Sequence, residues 1–252
     1  MKALLLDVGN TRLKWGVLED DQIHRTGHIA MRKVREEGLG VLTSRLPRSV
    51  DAVHVSNVAG ATFGTRLSGV IGMHCECDVH FAKPERTACG VRSGYRHPRR
   101  LGVDRWVAMI GAWAELESAC VVVDAGTAVT IDAIDDQGLH LGGQIFPGVR
   151  LMFEALAAST SDIPAVGRQL SATSGLDMFG DTTSKAVQNG AWNAVAGAVD
   201  RAITTLRSNG YEPQVVLTGG DASRMLTALG TEPLHRPNLV LQGLARLLED
   251  TV

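Results

Sequence analysis

An internal repeat constrains this chain more than any other feature. Residues 3–18 (ALLLDVGNTRLKWGVL) return as residues 120–134 (CVVVDAGTAVTIDAI), and both run from an apolar strand through Asp-x-Gly into a second apolar strand. Unbroken apolar runs predict strands buried on both faces, and Asp-x-Gly followed by a small polar residue predicts a tight hairpin. Asp7 and Asp124 occupy equivalent positions. Two copies about half a chain apart predict two related domains, 1–116 and 117–252, each opening with a hairpin whose turn is rich in backbone N–H groups.

The rest of the chain alternates helix and strand. The pattern predicts a helix over 32–46, a strand over 51–56, a short helix over 59–69 and a strand over 78–81. A loop with Gly90, Gly94 and Pro98 then leads into a helix over 101–117 that carries Trp106, Val107, Ile110 and Trp113. After the second hairpin come a strand over 139–145, a helix over 149–158, a polar loop over 159–173 and a long helix over 183–208. The apolar face of that helix, with Val187, Trp192, Val195, Ala196 and Val199, is read first as core and second as a dimer seam. A strand over 214–217 enters Thr218-Gly219-Gly220, and helices over 222–229 and 241–248 close the chain.

Composition narrows the functional classes. With 25 Lys+Arg against 27 Asp+Glu the net charge is -2, which excludes a nucleic-acid binder resting on bulk positive charge. The first apolar run stops at Asp7, too short for a secretory core, and no run approaches the roughly 18 residues of a membrane span. A cytoplasmic protein with neither a nucleic-acid nor a membrane partner is expected. Cys75 and Cys77 form C-x-C near His74 and His80 without the second pair that zinc requires, so these thiols, with Cys89 and Cys120, read as reduced and inert.

A strand ending in Asp-x-Gly-Asn-Thr or Asp-x-Gly-Thr presents N–H groups, a hydroxyl or amide, and a carboxylate together. That set suits a phosphate and its metal. One such turn is an ordinary hairpin; two copies plus Thr218-Gly219-Gly220 point to phosphate. Asp104 follows Gly102 at a helix start, where the helix dipole favours a carboxylate. On its residues alone it is as readily a partner of Arg105 or Arg100 as a general base. Arg96, Arg99, Arg100 and Arg105 beside Tyr95 read either as a solvated loop or as a site for an anionic acid, with Arg105 a fork for its carboxylate.

Five motifs carry a resemblance: Asp7-Val8-Gly9-Asn10-Thr11, Gly102-Val103-Asp104-Arg105, Asp124-Ala125-Gly126-Thr127-Ala128, Gly142-Gly143-Gln144-Ile145-Phe146-Pro147-Gly148 and Thr218-Gly219-Gly220. In order and spacing they resemble the type III pantothenate kinases, within the acetate and sugar kinase, Hsc70 and actin superfamily. The resemblance implies an α/β fold of two duplicated ribonuclease H-like domains (the actin-like ATPase fold), each with a central mixed sheet, closing over ATP. It implies phosphorylation of pantothenate to 4′-phosphopantothenate, the first step toward coenzyme A. It further implies that Asp7, Gly9, Asn10, Thr11, Lys14, Gly126, Thr127, Gly219 and Gly220 serve ATP and its phosphates. Tyr95, Gly102, Val103, Asp104, Arg105 and Thr183 serve the acceptor, with Asp104 as catalytic base and Thr183 reaching across a homodimer. Asp7 would hold Mg²⁺, through water, and Asp124 a monovalent cation, K⁺ or NH₄⁺. One departure is His97-Pro98, where the family pattern has Asn-Pro. Two other readings share the fold: a kinase for another small acid or sugar, and a non-enzymatic accessory factor for transcription. The stretch 95–105 favours pantothenate, and the intact Asp and Gly positions of the three turns favour an enzyme.

Overall fold

The computed structural model describes residues 1–160, 163 and 178–250. Most of the polar loop expected over 159–173 lies outside the described residues. In chain order the elements are β1 (Ala3–Val8), β2 (Arg12–Glu19), β3 (Gln22–Ala30), α1 (Met31–Glu37), α2 (Gly40–Thr43), β4 (Ala52–Asn57), α3 (Ala61–Cys75), β5 (Val79–Phe81), the short pair β6 (Thr87–Ala88) and β7 (Val91–Arg92), and α4 (Val103–Leu116). There follow β8 (Cys120–Ala125), β9 (Ala128–Ile134), β10 (His140–Pro147), α5 (Val149–Ser159), α6 (Thr183–Ser208), β11 (Gln214–Thr218), α7 (Ala222–Met225), β12 (Leu234–His235) and α8 (Leu239–Glu249).

The chain forms two compact units, Met1–Glu115 with Asn238–Val252, and Leu116–Pro237. In the first, the sheet runs β3-β2-β1-β4-β5, with β1 antiparallel to β2 and parallel to β4. The continuous Ala-Leu-Leu-Leu run places β1 at the centre because such a strand must be covered on both faces. Leu4, Leu6, Val8, Leu13, Trp15, Val53 and Val55 pack on one side with Val34 of α1 and Leu67 and Ile71 of α3.

α8 packs against β1, β2 and β4. It crosses α4 with backbone in contact: a Cβ on Gly111 would stand 2.6 Å from the Leu239 carbonyl, and one on Gly243 would overlap the Val107 carbonyl. The C-terminal stretch therefore departs from the expected division at 116/117, which assigned it to the second domain. Its buried Leu239, Leu241, Leu244 and Leu248 find their cover in the first unit.

The second unit repeats the plan as β10-β9-β8-β11-β12, with two antiparallel pairs, β10-β9 and β9-β8, and parallel strands beyond them. Val121, Val123, Ile131, Val215 and Leu217 pack against Phe153 of α5 and against Trp192, Val195, Val199 and Ile203 of α6. The apolar face of α6 is consequently core, and its second reading as a dimer seam is withdrawn. Within the same sheet, buried His140 and Asp132 hydrogen-bond at 2.9 Å.

Several local elements differ from expectation: the helix over 222–229 is only the four-residue α7, and β6, β7 and β12 match no expected strand. β3 was not anticipated, the helix over 32–46 splits at Gly38, where φ is 83°, and the helix over 59–69 continues to Cys75. The four cysteines are unpaired. Burial, and then Cys77, raises the Cys75 thiol to about 11, and burial raises Cys120 to about 12, so both stay protonated.

Candidate active site

The two hairpins share the same first-strand pattern, and the first turn is one residue longer than the second. Asp7 is the fifth residue of β1 and Asp124 the fifth of β8, and the two strands share one burial pattern. The first turn closes through the Gly9 amide donating to the Arg12 carbonyl at 3.0 Å, the second through Gly126 donating to Ala128 at 3.1 Å. Asn10 and Thr11 stand exposed at the first tip, and the Thr11 carbonyl accepts from Met31 at 2.9 Å, tying the tip to the start of α1. Lys14 lies opposite Asp7 in register on β2, and alternation puts both side chains on the face away from Leu4, Leu6 and Val8.

Both carboxylates also face a buried hydroxyl residue across a parallel strand: Ser56 opposite Asp7, and Thr218 opposite Asp124. The Ser56 hydroxyl has no hydrogen-bond partner among the described residues. Ser56 lies outside the repeated motif, although the duplication pairs its strand with the one ending in Thr218.

In the second unit three turns converge. The Thr127 carbonyl accepts from the Gly148 amide at 2.9 Å, joining the hairpin to the Pro147-Gly148 turn. Gly219 has φ of 104°, and a Cβ there would overlap the Ala125 carbonyl and stand 2.5 Å from the Asp124 carboxylate. Only glycine meets both demands. The Asp221 amide then donates to Ala125 at 2.8 Å, fixing Gly219 and exposed Gly220 over the end of β8. The result is a cluster of backbone N–H groups, a hydroxyl and a carboxylate, a set whose chemistry suits an anion.

Of the residues expected to serve the acceptor, Tyr95, Gly102, Val103, Asp104 and Arg105 lie together in the first unit. Buried Arg105 donates from Nη1 to the Tyr95 hydroxyl at 2.9 Å, with its guanidinium carbon 5.6 Å from the centre of the Tyr95 ring. Asp104 is the second residue of α4, and its Oδ1 accepts the Arg105 amide at 2.8 Å. A Cβ on Gly102 would come within 2.7 Å of that oxygen, so Gly102 makes room for the carboxylate's position, with Val103 half-buried between them. The loop ahead is held by Arg86, which donates to the carbonyls of Ser93, Tyr95 and Arg96 at 3.3, 3.1 and 3.4 Å. Sequence reasoning missed Arg86, since a lone arginine in a loop shows nothing until the fold closes that loop around it. His97, at the departure from the family pattern, is exposed.

Thr183 begins α6 and is exposed, while the capping role falls to Thr182, whose hydroxyl accepts from Lys185 at 3.2 Å. Thr183 thus has no capping duty. Among the described residues no three His, Cys, Asp or Glu side chains gather as a metal cage.

The sequence model of the type III pantothenate kinase family matches residues 3–205. This chain belongs to that family. Among curated type III pantothenate kinases it is 39% identical to one from Methylobacillus flagellatus, over 96% of this chain and 95% of the relative. It is 35% identical to another from Nitrosospira multiformis, over 100% and 93%. Among solved structures, a Campylobacter jejuni protein whose name places it in the Baf family of transcriptional activators superposes with a TM-score of 0.63, at 20% identity, over 98% of each chain. The activator of 2-hydroxyisocaproyl-CoA dehydratase from Clostridium difficile, with bound ADPNP, gives 0.56 at 14% identity over 99% of this chain and 94% of that one. These likenesses establish the fold, two duplicated ribonuclease H-like units of the actin-like ATPase type.

Proposed function

We infer that this type III pantothenate kinase transfers the γ-phosphoryl group of ATP to the terminal hydroxyl of pantothenate, giving 4′-phosphopantothenate and ADP and opening coenzyme A synthesis. The observation that carries this reading, beside family membership, is the buried Arg105, hydrogen-bonded to half-buried Tyr95 and next to Asp104 at the start of α4. Phosphoryl transfer asks a protein mainly to position groups and neutralise charge. Arg105 offers the fork that grips the acceptor's carboxylate, with Tyr95 holding the guanidinium plane. Asp104 takes the proton of the acceptor hydroxyl as its oxygen bonds to the γ-phosphorus and the bond to the ADP oxygen breaks.

The amides of Gly9, Asn10 and Thr11 in one hairpin and of Gly126 and Thr127 in the other bind phosphate oxygens, with Lys14 adding charge and Gly219-Gly220 adding backbone donors. Asp7 fits a Mg²⁺ that keeps its waters and takes phosphate ligands, the mode suited to a single carboxylate without a surrounding cage. When bound, the ion neutralises charge developing on the phosphates. The cradle of Asp124 against Gly219 fits a monovalent cation, K⁺ or NH₄⁺.

The homodimer with Thr183 reaching the partner's acceptor loop is supported by the exposed, non-capping position of Thr183 and by exposed Met178 and Phe179 just before it. Among the described residues no helix is long and apolar enough to cross a membrane. A role in coenzyme A synthesis fits the cytoplasm. The test is an acceptor panel: ADP release with ATP, Mg²⁺ and K⁺ should be strong with pantothenate and weak with sugars and other small hydroxy acids. Strong turnover with a sugar and none with pantothenate would overturn the reading.

A further inference from the structure

Residues 83–86 and 96–100 of the first unit line an open cavity of about 1210 Å³. Its wall carries Lys83, Arg86, Arg96, Arg99 and Arg100 against the single carboxylate of Glu85, on a chain whose net charge is -2. Arg86 is engaged by backbone carbonyls. The other four cations are exposed, and none pairs with a carboxylate among the described residues. Like charges gathered on one wall repel one another and support no core, so their placement calls for a ligand.

Magnitudes decide what kind. An exposed ion pair is worth about 0–1 kcal/mol, so no single arginine here would hold an anion tightly. The cavity also exceeds the roughly 300–1,000 Å³ of a close-fitting small-molecule site. Several unpaired cations on a concave wall act together at a distance, raising local anion concentration and association rates by about 10 to 10³. Arg86 joins the wall to the proposed acceptor turn by binding the carbonyls of both Tyr95 and Arg96, so the loop that forms the groove also carries Tyr95, the hydrogen-bond partner of Arg105.

We propose that this basic groove captures the acceptor acid from solution by its carboxylate and feeds it to Arg105, making Lys83, Arg96, Arg99 and Arg100 determinants of specificity for an anionic acceptor. The inference rests on pantothenate being the acceptor. Its test is kcat/KM for pantothenate at saturating ATP in the wild type, Arg99→Glu/Arg100→Glu and Arg99→Gln/Arg100→Gln, with K⁺ constant and ionic strength set by tetramethylammonium chloride. At low ionic strength the Glu pair should lose about tenfold in kcat/KM and the Gln pair less, with kcat within about twofold of wild type. Rising salt should lower the wild-type value and bring the three together, because the Debye length shrinks to about 3 Å at 1 M. Equal melting temperatures in all three proteins would exclude misfolding as the cause. Salt-insensitive wild type with unaltered variants, or an equal loss in kcat/KM for ATP, would overturn the groove's role while leaving pantothenate as the acceptor. A wild type that turns over no pantothenate would instead remove both readings.

Discussion

Asp104 and Arg105 are neighbours in sequence yet face different demands. Asp104 needs a fixed carboxylate at a helix start, which the Arg105 amide provides at 2.8 Å, whereas the Arg105 guanidinium is buried against Tyr95. Asp104→Asn keeps the size and the amide contact but removes the base, so turnover should fall by about 10²–10⁴ with the melting temperature unchanged. Wild-type turnover in that variant would remove Asp104 from the chemistry. Arg105→Lys keeps a charge but loses the planar fork, so KM for pantothenate should rise about tenfold or more, as expected when a charge-assisted hydrogen bond is lost, with KM for ATP little altered. Steady-state kinetics with each substrate varied in turn separates these outcomes. The motif residues of the site were legible because each Asp, Gly or Arg–Tyr set answers a chemical need that its local sequence displays. Arg86 and Ser56 were not, since their importance comes from residues that only the folded chain brings beside them.

At the scale of elements, β4 and β5 stack His54 on His80, with ring centres 5.2 Å apart and the strands in parallel register. Burial, then the neighbouring His80, lowers His54 from 6.5 to about 4. The folded state therefore refuses a proton that the unfolded chain accepts between those values, and stability should fall as pH drops from about 6.5 toward 4. Urea melts across that window should show the slope in wild type and a shallower one in His54→Gln; identical slopes would mean His54 is not the group responsible. The same element scale explains which parts of the fold were readable. β1 and β8 announced themselves through unbroken apolar runs, but β3 is mostly exposed and carries no such run. Gly38 breaks a helical pattern that continues in composition on both sides of it. α8 was visible as a helix, yet its return to the first unit depends on Gly111 and Gly243 letting two backbones touch, a tertiary fact with no local signature.

For the molecule as a whole, duplication supplies two equivalent Asp-x-Gly hairpins, and the copies differ in what surrounds them. The first unit holds the Tyr95–Arg105 loop, and the second holds the exposed Thr183. If the active species is a homodimer completed by the partner's Thr183, mixing inactive Asp104→Asn chains with inactive Thr183→Arg chains should restore partial activity, because some mixed dimers contain one site with neither lesion. A monomer by light scattering that remains fully active would contradict that arrangement. The identity of the product bears most directly on the central claim. Wild-type protein incubated with ATP, Mg²⁺, K⁺ and pantothenate should yield, by ³¹P NMR and mass spectrometry, a phosphomonoester on the terminal hydroxyl of pantothenate in step with ADP. ADP formed without phosphorylated pantothenate, or phosphate carried on any other position, would contradict the account.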